Sequence, residues 1–465
     1  MPGRRWMWWP LVVIAAAQLM VVMDATVLTV ALPSAQRALG MSDAARAWVI
    51  TAFTLTRAGL VLVGGRLADR FGHRRLLILG IAGFGVSSAV AAAAPTAWVL
   101  LGGRGLQGAC GAILVASTRS LLVSIYTDER VRARALGVFA AVLTGGMALG
   151  FVASGLLTEF AGWRWSLYIN VPLAALALAG SLLVLPNPAG HPESRVDVPS
   201  ALLAFGVMAA LVYGFGDADA ADRTLVLLLG AAALLILFLA RQARMNHPLL
   251  PLRIVADHGR GGALIAMAVG AFGTFGMMLT LTYQLQTVMH DTPLTTGLAL
   301  LPFAVAGALG SAVLAPRWLA RLPPSRVVPP GLAVAGVGLV VLSRHGGPVP
   351  ALAVILVATL LVGVGSGVVS ASSLQAALRG VARADVGVVA ALTSMAPQLG
   401  GSAGTVLLNT IAVAATASYL GAGRAPHAAT AHGLAVASVC GGVTELAAAL
   451  VLWFRTLAGR SGRAA

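Results

Sequence analysis

The chain has 465 residues, 58% of them hydrophobic and only 10% charged, with a formal net charge of +16 at pH 7. Soluble domains carry about 25% charged residues, so water is excluded as the main solvent and a bilayer takes its place. All 31 basic residues are Arg. They sit in short gaps between apolar runs, not on one basic face that would hold nucleic acid, and a chain without Lys cannot build a Walker-type phosphate loop.

Apolar runs begin near Leu11, Trp48, Leu76, Trp98, Ala135, Ser166, Ser200, Thr224, Gly262, Leu298, Val327, Ala351, Val388 and Leu434. Each matches the roughly 20 residues that a crossing helix needs, which predicts fourteen spans in an all-α membrane protein. The first run reaches Pro33 and shows no convincing cleavage site, so it reads as a retained helix and not a signal peptide. Arginine concentrates in alternate connections, which places both termini in the cytoplasm. The exclusive use of Arg points to a GC-rich bacterium, and the apolar helices are expected to lie in the bacterial cell (inner) membrane. Tryptophans cluster at span ends, where indole suits the boundary between water and lipid.

Taken in chain order, the first span carries Asp24 near mid-membrane. An unpaired charge there costs at least about 2.5 to 3.5 kcal/mol, so Asp24 needs a partner or a proton. Arg57 lies near the middle of the second span and is expected either to pair with Asp24 or to meet an anionic or polar substrate group. The following loop, GRLADRFGHRR over Gly65 to Arg75, has glycines for a tight turn. Its Asp69 stands among several Arg, an arrangement able to pair with a neighbouring helix in one state and release it in another. Arg104 enters the fourth span at a depth that suits it as partner of Asp24. Desolvation favours a protonated Asp24 and a nearby guanidinium favours an ionised one, which is the balance that proton coupling requires. Arg119, near the inner end of the same span, can snorkel to the headgroups.

Further along, Gln286 near the end of the ninth span offers a donor and an acceptor to substrate or to a neighbouring helix. Glu445 in the final span reads either as a transport residue or as a protonated, lipid-shielded acid. Cys110 and Cys440 both fall in apolar runs and behave as small hydrophobes, with no disulfide or zinc framework. No HExxH and no recognisable Ser/His/Asp grouping occurs, so an enzyme is not expected.

The chain repeats itself. GRLADRFGHRRLLILG from Gly65 aligns with PRWLARLPPSRVVPPG from Pro316, and GVFAAVLTGGMALG from Gly137 aligns with GVVAALTSMAPQLG from Gly387 at nearly the same offset. Both pairs run in the same direction through the membrane. That predicts two six-helix halves related by an axis along the membrane normal, with the substrate site at mid-membrane between them.

These motifs carry a resemblance. GRLADRFGHRR is similar to the loop between helices two and three of the major facilitator superfamily. MDATVLTVALP from Met23, RGLQG from Arg104 and WRWSLYINVP from Trp163 resemble its fourteen-helix drug/proton antiporters. The resemblance runs from about Val22 to about Thr410. It implies the major facilitator fold: a six-helix bundle over 1–190, a two-helix insertion over 191–245 and a second six-helix bundle over 246–465. It further implies a proton-coupled exporter of drugs or related metabolites, with small-molecule substrate, protons and lipid as partners, acting as a monomer without cofactor or metal.

With the resemblance, Asp24 and Arg104 are expected to couple protons and Asp24, Arg104 and Gln286 to line the substrate cavity, which Arg57 joins by its depth in the second span. Gly65, Asp69, Arg70, Gly72, Arg74, Gly146 and Gly150 serve conformational gating. The sequence departs from the family in the fifth helix, where Gly150-Phe151 and Ser154-Gly155 stand in place of Gly-Pro and Gly-Gly. With Arg57 in a position that is usually apolar or small, this motivates the alternative of an anionic or polar metabolite moved with different coupling or direction.

Overall fold

In lipid every backbone N–H and C=O must find its partner inside the segment, so apolar runs of this length become helices. The computed structural model describes residues 8–126, 128–186, 197, 199–200, 202–203, 205–207, 209–210, 221–245, 252–344, 351–381 and 386–461, and no strand occurs among them. The helices are α1 (Trp9–Leu39), α2 (Asp43–Phe71), α3 (His73–Ala92), α4 (Ala97–Ile125), α5 (Glu129–Phe160), α6 (Trp165–Tyr168), α7 (Asn170–Val184) and α8 (Ala221–Arg244). There follow α9 (Leu252–Ala256), α10 (His258–Tyr283) with a π-helical turn (Gln284–Val288), α11 (Pro293–Leu309) with a second π-helical turn (Gly310–Leu314), and α12 (Ala315–Leu319). The last four are α13 (Pro324–Leu342), α14 (Ala351–Leu378), α15 (Val386–Gly421) and α16 (Pro426–Ser461).

Among the described residues ten helices are long and apolar enough to cross a membrane, or eleven when α2, bent by 52° between Val61 and Val63, is counted as one span. A shorter apolar helix, Gly145–Phe160, lies within α5. Of the two spans expected between the halves, the run from Thr224 forms the 24-residue α8. Most of the run from Ser200 lies outside the described residues.

The chain divides into two compact units: residues 1–42 with 48–205, and residues 43–47 with 206–465. In the first, α1 packs against α4, α5 and α7, and α3 packs against α4 and α7. The second repeats this pattern, with α10 against α14, α15 and α16, and α13 against α14 and α16.

Small residues let these helices approach closely, as lipid-embedded helix pairs require. Gly146 and Gly150 bring α5 onto α1: a Cβ on Gly146 would meet Leu19 Cδ1 at 2.7 Å, and one on Gly150 would overlap Thr26 Oγ1 and meet the Met23 carbonyl at 3.1 Å. One turn on, the Ser154 hydroxyl donates to the Val27 carbonyl, so the residue that departs from the family pattern stitches the same crossing. Gly150→Val is therefore expected to lower stability by about 1–3 kcal/mol through overpacking, read as a lower melting temperature of the detergent-solubilised protein. Gly145→Val, at a position with nothing within 4 Å, is the control and leaves it unchanged.

The loop from Gly65 to Arg75 closes on Gly72, whose φ of +93° is open to glycine and strained for other residues. Arg74 then donates to the carbonyls of Ser181 (3.3 Å) and Leu182 (2.8 Å) in the last turn of α7, where helix carbonyls lack intrahelical partners. Asp69 Oδ1 lies 3.4 Å from His73 Nε2, and Arg70 lies over the Phe71 ring. Gly65 faces open space, whereas a Cβ on its neighbour Gly64 would meet the Ala112 carbonyl of α4 at 3.1 Å. Close helix approach thus belongs to Gly64. At the start of α1, the Leu11 amide donates to the Tyr126 hydroxyl at 3.1 Å, and burial pushes that phenol above the usual tyrosine range. Trp163 is 5% exposed and its indole nitrogen has no partner among the described residues, so it is a packed residue, unlike the open Trp98 and Trp165.

Candidate functional site

The first unit holds a fully enclosed polar cluster in otherwise apolar helices. Asp24 of α1 is 0% exposed and Arg104 of α4 is 1% exposed, and Arg104 Nη1 donates to Asp24 Oδ2 at 2.5 Å. Gln107, one turn further along α4 and so on the same face, donates to Asp24 Oδ1 at 2.8 Å. Asn170, the first residue of α7, donates to that oxygen at 2.7 Å. Gln107 also donates to the Ser88 hydroxyl of α3 and accepts from Arg104 at 2.7 Å. Arg104 Nε donates to the Val49 carbonyl of α2 at 3.2 Å, and its guanidinium lies 4.4 Å from the centre of the Phe53 ring.

This arrangement answers the cost of burying charge. An ionised carboxylate only accepts hydrogen bonds, and Asp24 receives three, one of them from a cation. Such charge-assisted bonds are roughly twice as strong as neutral ones, and in a low dielectric a satisfied network holds its members in one geometry. Asn170 Oδ1 is buried and accepts no hydrogen bond among the described residues.

Of the residues singled out in the sequence, Asp24 and Arg104 come together. Arg57 of α2 shares the Phe53 ring with Arg104, its guanidinium 4.9 Å from the ring centre. The side chain of Arg119 lies outside the described residues. Gln286 sits, buried, in the π-helical turn after α10 in the second unit, and Gly146 and Gly150 form the α1–α5 crossing. Gln107, Asn170 and Ser88, neutral polar residues in apolar runs, complete the cluster. Gln107 lies within RGLQG and Asn170 within WRWSLYINVP, so both motifs were visible while the convergence of these side chains was not. Among the described residues no group of His, Cys, Asp and Glu is arranged to hold a metal ion.

The pattern defining the Major Facilitator Superfamily matches residues 14–405. This chain belongs to that superfamily. It is accordingly a multi-pass membrane transporter and not an enzyme. The transporter is 41% identical over 455 residues to the puromycin resistance protein of Streptomyces alboniger, covering 96% of this chain and 90% of that one. It is 33% identical over 428 residues to a multidrug efflux pump of Mycolicibacterium smegmatis, covering 88% and 81%. Its fold is similar to the crystal structure of a bacterial homologue of the human lysosomal transporter Spinster, with a TM-score of 0.70, 15% identity and coverage of 97% of both chains. At that identity the likeness is one of fold alone, and it agrees with the all-α major facilitator architecture expected from the motifs.

Proposed function

We propose that the transporter exports small organic molecules, antibiotics among them, from the bacterial cytoplasm in exchange for protons. In this reading it has fourteen spans, with both termini cytoplasmic, and works as a monomer by alternating access. The observation that carries the reading is the Asp24 cluster: a carboxylate with no exposed surface, held by Arg104, Gln107 and Asn170 inside the membrane. The names of the relatives, a puromycin resistance protein and a multidrug efflux pump, support the substrate class.

The chemistry follows from hydrogen-bond capacity. When Asp24 binds a proton, one oxygen becomes a hydroxyl donor that needs an acceptor, and the neutral carboxyl holds the Arg104 cation less strongly. Two responses follow: Arg104 is released from the neutral carboxyl, or the Asn170 amide turns over and presents its unpartnered Oδ1 to the new hydroxyl. Both responses alter a contact of α1 with a different helix, α4 or α7, so protonation changes how the bundle is held together. A released Arg104 then offers its charge to an incoming substrate.

The test uses inside-out vesicles containing the protein and puromycin as the first compound, followed by a panel of anionic, neutral and cationic compounds. An imposed pH gradient, acid inside, is expected to drive puromycin accumulation, and dissipating it is expected to stop accumulation. Accumulation indifferent to the gradient would refute proton coupling. The panel also decides the second reading, transport of an anionic or polar metabolite, which a second guanidinium on the Phe53 ring, that of Arg57, favours. Selective movement of anions, with puromycin left behind, establishes that reading instead.

A further inference from the structure

Glu445 lies within Pro426–Thr456, the part of α16 long and apolar enough to cross a membrane, and is 0% exposed. Neither of its carboxyl oxygens has a hydrogen-bond partner among the described residues. The space it occupies exists because two neighbouring helices present glycine. A Cβ on Gly273 of α10 would meet the Glu445 carboxyl carbon at 2.7 Å, and one on Gly336 of α13 would meet Glu445 Cβ at 3.2 Å. Gly336 and Gly442 also bring α13 and α16 together, with the Gly442 carbonyl at 2.9 Å from a Cβ on Gly336.

Charged and titratable groups on the elements packed against α16 stand far from this level. They are His258, Arg260 and Tyr283 on α10, Arg326 on α13 and Tyr419 on α15, with none in the turn Gln284–Val288. Along α16 itself they are His427, His432, Arg455 and Arg460. Each is ten or more residues along its helix from the Glu445 level, about 15 Å by helical rise. Only Cys440, five residues before Glu445 on α16, is nearer. An ionised carboxylate so placed has neither counter-charge nor donor, and isolated buried charges of this kind are neutralised. The proton is the one ligand that achieves it here.

We propose that Glu445 is a second proton-binding site, in the second unit, resting on the proton-coupled reading above. The carboxyl is loaded while α10, α13 and α16 enclose it. When the glycine-faced crossing opens to water, the O–H bond breaks, the proton passes to a water molecule and a carboxylate remains. That carboxylate cannot return to the closed niche until it binds a proton again, which ties the packing of α16 on α10 and α13 to proton exchange.

The experiment reconstitutes full-length wild type and Glu445→Gln in liposomes and measures the puromycin accumulation ratio against imposed pH difference. Each coupled proton adds a factor of about ten to the ratio per pH unit. The slope for Glu445→Gln is expected to fall by one proton per substrate while transport continues. A slope equal to that of the wild type overturns the proposal and leaves proton coupling intact, whereas a wild type with zero slope overturns both. Should Glu445→Gln fail to reach the membrane, dicyclohexylcarbodiimide, which attacks protonated carboxyls in apolar surroundings, is applied to the wild type. Labelling of Glu445 that declines as pH rises supports the site. A Glu445 unlabelled at every pH overturns it.

Discussion

Asp24→Asn is expected to reduce pH-driven uptake of the probe compound to the level of empty vesicles. The substitution keeps the size of the side chain and an oxygen able to accept from Gln107 or Asn170, but it removes the group that gains and loses a proton. It also leaves Arg104 buried, and a guanidinium has no neutral form to fall back on. Breaking a buried pair from one side costs about 3–5 kcal/mol. Part of that is offset here, because Arg104 keeps the Val49 carbonyl, the Gln107 oxygen and the Phe53 ring. The variant should thus be present in the membrane, less heat-stable than wild type and devoid of coupled transport. Full pH-driven transport by Asp24→Asn would remove Asp24 from the mechanism.

Arg104→Met tests the same pair from the other side and should behave differently. The lone Asp24 escapes an unpaired charge by holding a proton, a route that Arg lacks, so Arg104→Met is expected to lose less heat stability than Asp24→Asn. Transport should nevertheless fail, because a carboxyl with no cation to displace its proton stays loaded. The double variant Asp24→Asn with Arg104→Met removes both charges, and its stability should exceed that of Asp24→Asn alone, since replacing a whole buried pair is far milder than stranding one partner. A double-mutant cycle on melting temperature isolates this term. Additive effects of the two substitutions would mean that the pair seen between α1 and α4 contributes nothing to the folded protein.

Asp24 and Arg104 were legible in the sequence because a charge inside a long apolar run stands out against its surroundings, and the lipid makes it costly to ignore. Glu445 stood out for the same reason, but its two readings could not be separated without knowing what faces it. Gln107, Asn170 and Ser88 gave no comparable signal: neutral polar side chains occur throughout these spans and satisfy themselves within their own helices, as Ser87, Thr54 and Thr359 do by bonding carbonyls three or four residues back. Of two adjacent glycines, Gly65 belongs to the recognisable loop pattern, yet Gly64 meets α4. Trp163 follows a span end like the other tryptophans, yet it is packed inside.

From the order of residues alone came the lipid environment, the succession of apolar helices, the internal repeat, the superfamily and the presence of an acid, Asp24, with two arginines, Arg57 and Arg104, inside the spans of the first half. Hydropathy and motif spacing are properties of a single segment, so they survive without knowledge of its neighbours. Which side chains meet was decided by tertiary structure alone. Successive residues of a helix point about 100° apart, so the convergence of Asp24, Ser88, Arg104, Gln107 and Asn170 depends on the rotation of four helices about their own axes. The glycine-walled niche of Glu445 likewise depends on how three helices cross, and no single stretch of sequence encodes that.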